Sequence, residues 1–379
     1  MKKFVRLLSA LLILAMAVSL VACSNEEKDP EETQAPSLNL GTNDPTADPT
    51  ADPTADPSGA TEEPTAEPSA TAAPTVDLST YEAPTLEEPA LEAFELPTTS
   101  AVSLKVVDPI ATEDSTTVTV KAEDVYTGAL ILVNSQYKLK LDPADVLVKM
   151  YDHRAENAAE KYQLANAQYI KIQKVAADNF AALMIAANAQ NAKCKNVLVS
   201  EAYRTEQDQQ DAFNKNQGVN AMMPGHSDFQ TGYSLHLKYI NGNTYPLNDK
   251  NYADASAAGA VIADLADSYG FIQRYPAGKS AYTGLADGVM PYLYRYVGVP
   301  HARVMTEGGY SLEEYIEGIK NYTQDKQLSI TDGAHVYHVF YVPAVANGDT
   351  TFQIPTIYKD SYTVSGNNVD GFIVTVTVS

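Results

Sequence analysis

The stretch DPTADPTADPTADPS, residues 44–58, places a proline at every fourth position. Each proline fixes φ and removes an amide donor, so neither a helix interior nor a central strand can run through it. The bias extends over 24–100, where EEPTAEPSATAAPT follows the repeat and few large apolar side chains are available to bury. That span reads as a disordered tether, and folding has to begin after it. It carries eighteen acidic residues against one lysine, so most of the chain's formal net charge of −22 belongs to the tether and not to a binding face. An acidic chain without a basic patch excludes nucleic acid as a partner.

Ahead of the tether, Lys2, Lys3 and Arg6 precede the apolar run LLSALLILAMAVSL and then LVAC, residues 20–23. A basic start, an apolar run and small residues before a cut site make a secretory signal peptide. The run falls short of the roughly 20 residues that span a bilayer. The cysteine directly after the small residues makes the segment resemble a bacterial lipoprotein signal over 1–22, with Cys23 as the lipidated residue. The chain is then expected at the extracellular face of the cell membrane, held by its lipid. A flexible tether of about 77 residues over 23–100 would span roughly 50 Å. With Cys23 assigned to lipid, Cys194 has no partner for a disulfide and reads as a buried structural thiol.

The remainder, 101–379, is long enough for one domain with a small addition. STTVTVKAED and GALILVN read as strands by their β-branched content. From about 155 to 193 the pattern turns helical, with Phe180, Leu183, Met184 and Ala187 on one face. NVLVS reads as a short strand and TEQDQQDAFNKN as a polar helix capped by Thr205. YSLHLKYI alternates, with Leu235, Leu237 and Tyr239 on one side and Ser234, His236 and Lys238 on the other. DASAAGAVIADLADSYG is a helix ending at Gly270, YLYRYVG a strand, and SLEEYIEGI a helix opened by the capping box of Ser311 and Glu314. Past about 327 the character changes to short strands, HVYHVFYVPA, TFQIPTI, DSYTVSG and GFIVTVTV. These read as a β-rich extension over 327–379, either a separate module or an addition to the main sheet.

The motifs LVN at 132–134, AYRTEQDQQ at 202–210, PGHSDFQTG at 224–232, YGFIQRYP at 269–276, YRYVGVPHA at 294–302 and LEEYI at 312–316 occur in that order. Together they resemble the VanY-like family of D-alanyl-D-alanine carboxypeptidases, which places that domain over 101–326. The resemblance implies an α+β fold, a central antiparallel sheet with helices packed around it. It also implies a zinc site built from S-x-H-x-x-G-x-A-x-D and E-P-W-H, acting on peptidoglycan stem peptides. Such a site needs three protein ligands, an open position for water and a glutamate base.

Carried over one position at a time, Ser227 and Gly232 match, but the histidine ligand falls on Phe229 and the aspartate ligand on His236. The last histidine ligand falls on Leu293, the glutamate base on Met290, and the tryptophan on Tyr292. Phe and Leu have no lone pair to give. Asp287, three residues before Met290, cannot stand in for Leu293, and His226 belongs to the ordinary family pattern. No zinc and no catalytic residue is therefore expected. His301 is expected to cap or pack a helix, and His153, His335 and His338 to be structural or exposed.

The substrate side survives in Tyr203, Arg204, Gln209, Ser227 and His236. Arg204 matches the family's substrate-holding arginine, and a guanidinium fork suits a peptide carboxylate, although Glu201 lies near enough to pair with it. The leading reading is a surface lipoprotein that binds peptidoglycan stem peptides, or senses or scaffolds cell-wall enzymes, without cutting. The alternatives are an active D,D-carboxypeptidase, and a protein–protein adaptor whose pocket Phe229, Tyr292 and Leu293 close.

Overall fold

The computed structural model describes residues 75–379 other than 112–113, 217–218, 220 and 334. The leader, Cys23 and the tether up to 74 lie outside the described residues. No helix among the described residues is long and apolar enough to cross a membrane.

The central sheet grows from the alternation of Ser234–Asn241, where Leu235, Leu237 and Tyr239 are each fully buried. This strand pairs antiparallel with Val197–Glu201 on one side and with Leu293–Tyr296 on the other. Phe271–Gln273 extends the sheet beyond Leu293–Tyr296, and the short strand Gln163–Leu164 lies parallel to Val197–Glu201 at the far edge. The helices Lys174–Gln190 and Ala253–Leu265 cover the apolar face. Phe180, Leu183, Met184 and Ala187 supply the buried stripe of the first helix, as their spacing predicts. That helix begins at Lys174, not near 155. Before it, Ile170 and Ile172 are buried with a period of two, and the chain forms the short strand Lys171–Gln173. The helix Glu206–Lys215 starts at Thr205, whose side chain accepts from the Asp208 amide, and Ser311 caps Leu312–Ile319 in the same way.

GALILVN does not form a strand. Its buried leucines hold, but the backbone carbonyls of Ala129, Ile131 and Val133 accept hydrogen bonds from buried arginines instead of a neighbouring strand.

The β-rich C-terminal region is neither a separate module nor an extension of the central sheet. It forms a second, five-stranded antiparallel sheet, and its edge strand, Val102–Val107, comes from the start of the domain and pairs with Gln327–Asp332. Ser115–Val120 pairs with Thr350–Pro355 and covers one face of this sheet. The other face packs on the helices Val299–Gly308 and Leu312–Ile319. His301, fully inside this contact, lies 2.6 Å from the Tyr315 hydroxyl and 3.0 Å from Thr375 Oγ1. It ties both helices to the last strand, and burial lowers its pKa to about 3. A boundary at 326 therefore cuts through one core. The tether boundary at 100 moves as well, because Leu86 and Phe94 are buried against the domain.

Candidate functional site

The family motif turns on a glycine, Gly232. The short turn Asp228–Thr231 ends at Gly232 in the left-handed region, φ 71°, and a Cβ there would meet Leu147 at 2.7 Å. The chain then enters Ser234–Asn241. Across the sheet His236 stands opposite Glu201 on one neighbour and opposite Leu293 on the other. Phe229 and Leu293 meet in one buried cluster with Met222, Tyr275 and Leu285, and Met290 and Val289 pack against it. The positions that correspond to the metal ligands thus gather at one place, around hydrocarbon.

Phe229 is 2% exposed and Leu293 fully buried. The Arg204 guanidinium lies 4.0 Å from the Phe229 ring centroid, a cation–π contact over the ring face. Met290 adopts φ 53°, and its carbonyl accepts from the Leu293 amide. Tyr292 does not join the cluster: it packs against the core of the central sheet, because it points to the opposite side of the chain from Leu293.

His236 is the one nitrogen ligand at these positions. Ser200 Oγ donates to the His236 carbonyl and lies 3.0 Å from Nδ1. With the hydroxyl proton given to the carbonyl, Nδ1 carries its own proton and donates to Oγ. Burial, helped by Lys238 and Arg204 and opposed by Glu201, lowers the His236 pKa to about 4. The ring is neutral at pH 6 as at pH 8, so it does not supply the positive charge that an unperturbed imidazole would bring near pH 6.

Arg204 is engaged on three sides. Nε donates to Glu201 Oε1 at 2.7 Å, Nη2 to Oε2 at 2.5 Å, and Nη1 to Gln209 Oε1 at 2.9 Å. Gln209 is buried and donates in turn to the Met222 carbonyl. Arg204, Gln209, Phe229 and Met222 therefore form one unit. Tyr203 faces elsewhere: its hydroxyl donates to Asp142 at 2.6 Å, and burial together with that bond raises its pKa. Ser227 is buried, its carbonyl accepting from Gln230.

Sequence reasoning missed the residue beside Phe229. Asp228, Arg274 and Arg295 are each fully buried. Asp228 Oδ1 accepts from Arg274 Nε at 3.0 Å and from Arg295 Nη1 at 2.8 Å, and Oδ2 accepts from Ser234. Glu313 binds the other end of Arg274 with both oxygens, at 2.8 and 3.1 Å. Burial would raise the Asp228 pKa, but Arg295 and Arg274 outweigh it and hold the carboxyl below its ordinary range. The available signal was an arginine within each of two motifs rich in large apolar residues, FIQRYP and YLYRYVG, since buried arginine requires a paired acid.

Zinc does not fit these residues. Two of the three ligand positions offer only carbon, the third is a lone histidine, and no cluster of three His, Cys, Asp or Glu side chains among the described residues could hold a metal. Cys194 gives no alternative nucleophile, since it is buried and its pKa is pushed up to about 11.

Residues 169–299 match the VanY family, described as D-alanyl-D-alanine carboxypeptidase. The chain is 31% identical over 260 residues to a D-alanyl-D-alanine carboxypeptidase of Enterococcus faecium, covering 68% of this chain and 78% of that one. It is 30% identical over 129 residues to the bifunctional D-Ala-D-Ala dipeptidase and D-Ala-D-Ala carboxypeptidase VanXYC of Enterococcus gallinarum, covering 32% and 66%. Among solved structures, the vancomycin-resistance D,D-dipeptidase VanXYg, in complex with a D-Ala-D-Ala phosphinate analogue, superposes with a TM-score of 0.57 at 27% identity, over 70% of this chain and 99% of the other. With its motifs in order, its two-sheet fold and this coverage, the chain belongs to the VanY family of D-alanyl-D-alanine carboxypeptidases.

Proposed function

We propose that this chain is a surface-held, zinc-free member of its family that binds the peptide stems of peptidoglycan without cleaving them. The observation that carries the reading is the packing of Phe229 and Leu293 into one apolar cluster at the positions of two metal ligands. Met290, at the position of the base, has no proton-accepting group. Without a metal-bound water or a glutamate, peptide hydrolysis has neither nucleophile nor base. Lipidation at Cys23 and the outer face of the membrane complete the proposal and rest on the leader sequence.

Recognition of a D-Ala-D-Ala end is supported by the relatives that cleave it and by the retention of Arg204 and Gln209. Glu201 and Gln209 take three of the five N–H donors of Arg204. A ligand carboxylate finds only the remaining two, on a guanidinium whose charge Glu201 already pairs, so the affinity is weak. That same pairing favours the adaptor as the second reading, in which the domain binds a cell-wall enzyme and no peptide.

Incubation with a stem pentapeptide ending in D-Ala-D-Ala should release no D-alanine. Calorimetric or NMR titration should show weak binding, equal at pH 6 and pH 8 because His236 stays neutral, and reduced in Arg204→Ala. Turnover that disappears in a pocket variant restores the enzyme. Absence of binding at millimolar peptide leaves the adaptor.

A further inference from the structure

Residues 76–96 run across the domain in two unequal halves. The downstream half is built into the core. Phe94 is 7% exposed and stacks on Tyr315 and Tyr322, with centroids 5.1 and 5.7 Å apart. Its amide donates to the Tyr322 hydroxyl, the Glu95 amide donates to Tyr310, and Asn321 donates to the Leu91 carbonyl.

The upstream half is held differently. The Val76 amide donates to Asn214, the Pro84 carbonyl accepts from Ser135, and the Glu87 amide donates to the Ala281 carbonyl. Tyr81 meets the Phe213 ring edge-on at 4.9 Å. Leu86 is the one fully buried side chain of this half, 7% exposed, and most of its neighbours are exposed. Leu86 sits so close to Gly284 that a Cβ there would come within 2.9 Å of it.

This upstream half bridges the two loops that carry the halves of the family site, the loop before Ser227 and the loop before Met290. Tyr81, Ala83 and Pro84 form one wall of a cavity of about 200 Å³, and Met222, His226 and Leu285 form the other. Met222 and Leu285 are also the outer members of the cluster around Phe229. A segment with few buried contacts and several exposed backbone hydrogen bonds opens locally at low free energy.

We infer that residues 76–88 are a detachable strap, an intramolecular occupant of the space between the loop 221–226 and the helical turn and loop 281–286, which must leave before any other chain can reach the outer face of the Phe229 cluster. Because the strap is covalently joined to its site through the fixed Phe94 end, its effective concentration there is millimolar, and weak contacts suffice to keep it docked. It competes with any visitor and lowers the visitor's apparent affinity by the fraction of chains in which the strap is undocked. This inference concerns access to the site and holds whether the visitor is a stem peptide or a partner protein.

Hydrogen–deuterium exchange on the full chain tests it, with no cell-wall peptide present. Residues 76–88 should exchange well ahead of 91–96. In Tyr81→Ala/Leu86→Ala, the loops 221–226 and 281–286 should exchange about tenfold faster, while Ser234–Asn241 stays as protected as in the parent chain. A synthetic peptide of residues 75–90, added to that variant, should restore the protection of both loops. Equal exchange of the two halves in the parent chain, unchanged loops in the variant, loss of protection throughout the sheet, or failure of the added peptide to protect the loops would each overturn the strap.

Discussion

Asp228 and Phe229 are neighbours in the chain and face opposite kinds of interior. Asp228 binds two buried guanidinium groups, with Glu313 behind one of them. Phe229 lies in hydrocarbon with Leu293 and Leu285, roofed by Arg204. The charged knot joins the motif turn, the end of the strand Phe271–Gln273 where Arg274 follows, the strand that carries Arg295, the loop 129–133 and the helix Leu312–Ile319. It holds the frame of the site in place. The apolar plug occupies the position where the frame would present its metal. The difference between them separates two demands that a metallopeptidase makes on one motif, to fold around buried ions and to hold a metal. On the reading proposed above, this chain meets the first and has given up the second.

The knot should be the more fragile of the two. Asp228→Ala leaves Arg295 without its acid and Arg274 with only Glu313, and removing one partner of a buried pair costs about 3–5 kcal/mol. Chemical denaturation of the full chain should show that loss, with Asp228→Asn intermediate. A loss within the range of surface substitutions would mean that the knot does not hold the frame.

Acid separates the two regions by window. The His236 pKa is lowered to about 4, so the unfolded chain takes up the proton first, and the stability due to this residue is complete above pH 6.5 and falls as pH drops to about 4. The shift corresponds to roughly 3 kcal/mol. The Asp228 contribution is held until the pH falls below its ordinary value of 3.8. His236→Gln should therefore reduce the loss of stability between pH 6.5 and 4 and leave the loss below that window unchanged. His301, lowered to about 3, adds a loss of the same sign that the variant retains.

The plug should respond more mildly and without regaining function. Phe229→His places an imidazole among Met222, Leu285 and Leu293 and should cost about 1.5–3 kcal/mol. One restored position still leaves Leu293, so the variant should take up no zinc. Uptake by this single variant would show that the plug yields to a metal. The smallest effect belongs to Arg204→Ala, which removes the contact over the Phe229 ring and should lower stability by about 1 kcal/mol, read as a shift in the denaturation midpoint.

How much of this was legible in the sequence follows from where each signal lies. The plug could be read by matching positions one at a time, because PGHS, QTG and RYVG fix the register on both sides of the replaced residues. The convergence of Phe229 and Leu293 followed from that register, but Tyr292 was expected to close the pocket with them and packs instead on the core of the central sheet, on the other side of the chain. The knot was not read because its members are 228, 274, 295 and 313, and no local pattern joins them. The second sheet was drawn too short for the same reason, since its edge strand Val102–Val107 pairs across more than two hundred residues of chain. Residues 75–100 were assigned to the tether on composition, yet Leu86, Leu91 and Phe94 are spaced apolar anchors among prolines and glutamates. Whether His236 is charged near pH 6 depends on its burial, which sequence does not contain.

The central claim is that the family's metal site has been filled by side chains. Its most direct test is the zinc content of the purified chain after exposure to excess zinc and removal of the unbound metal. The account predicts far less than one zinc per chain, unchanged in His236→Ala. One zinc per chain, lost in His236→Ala, would contradict it.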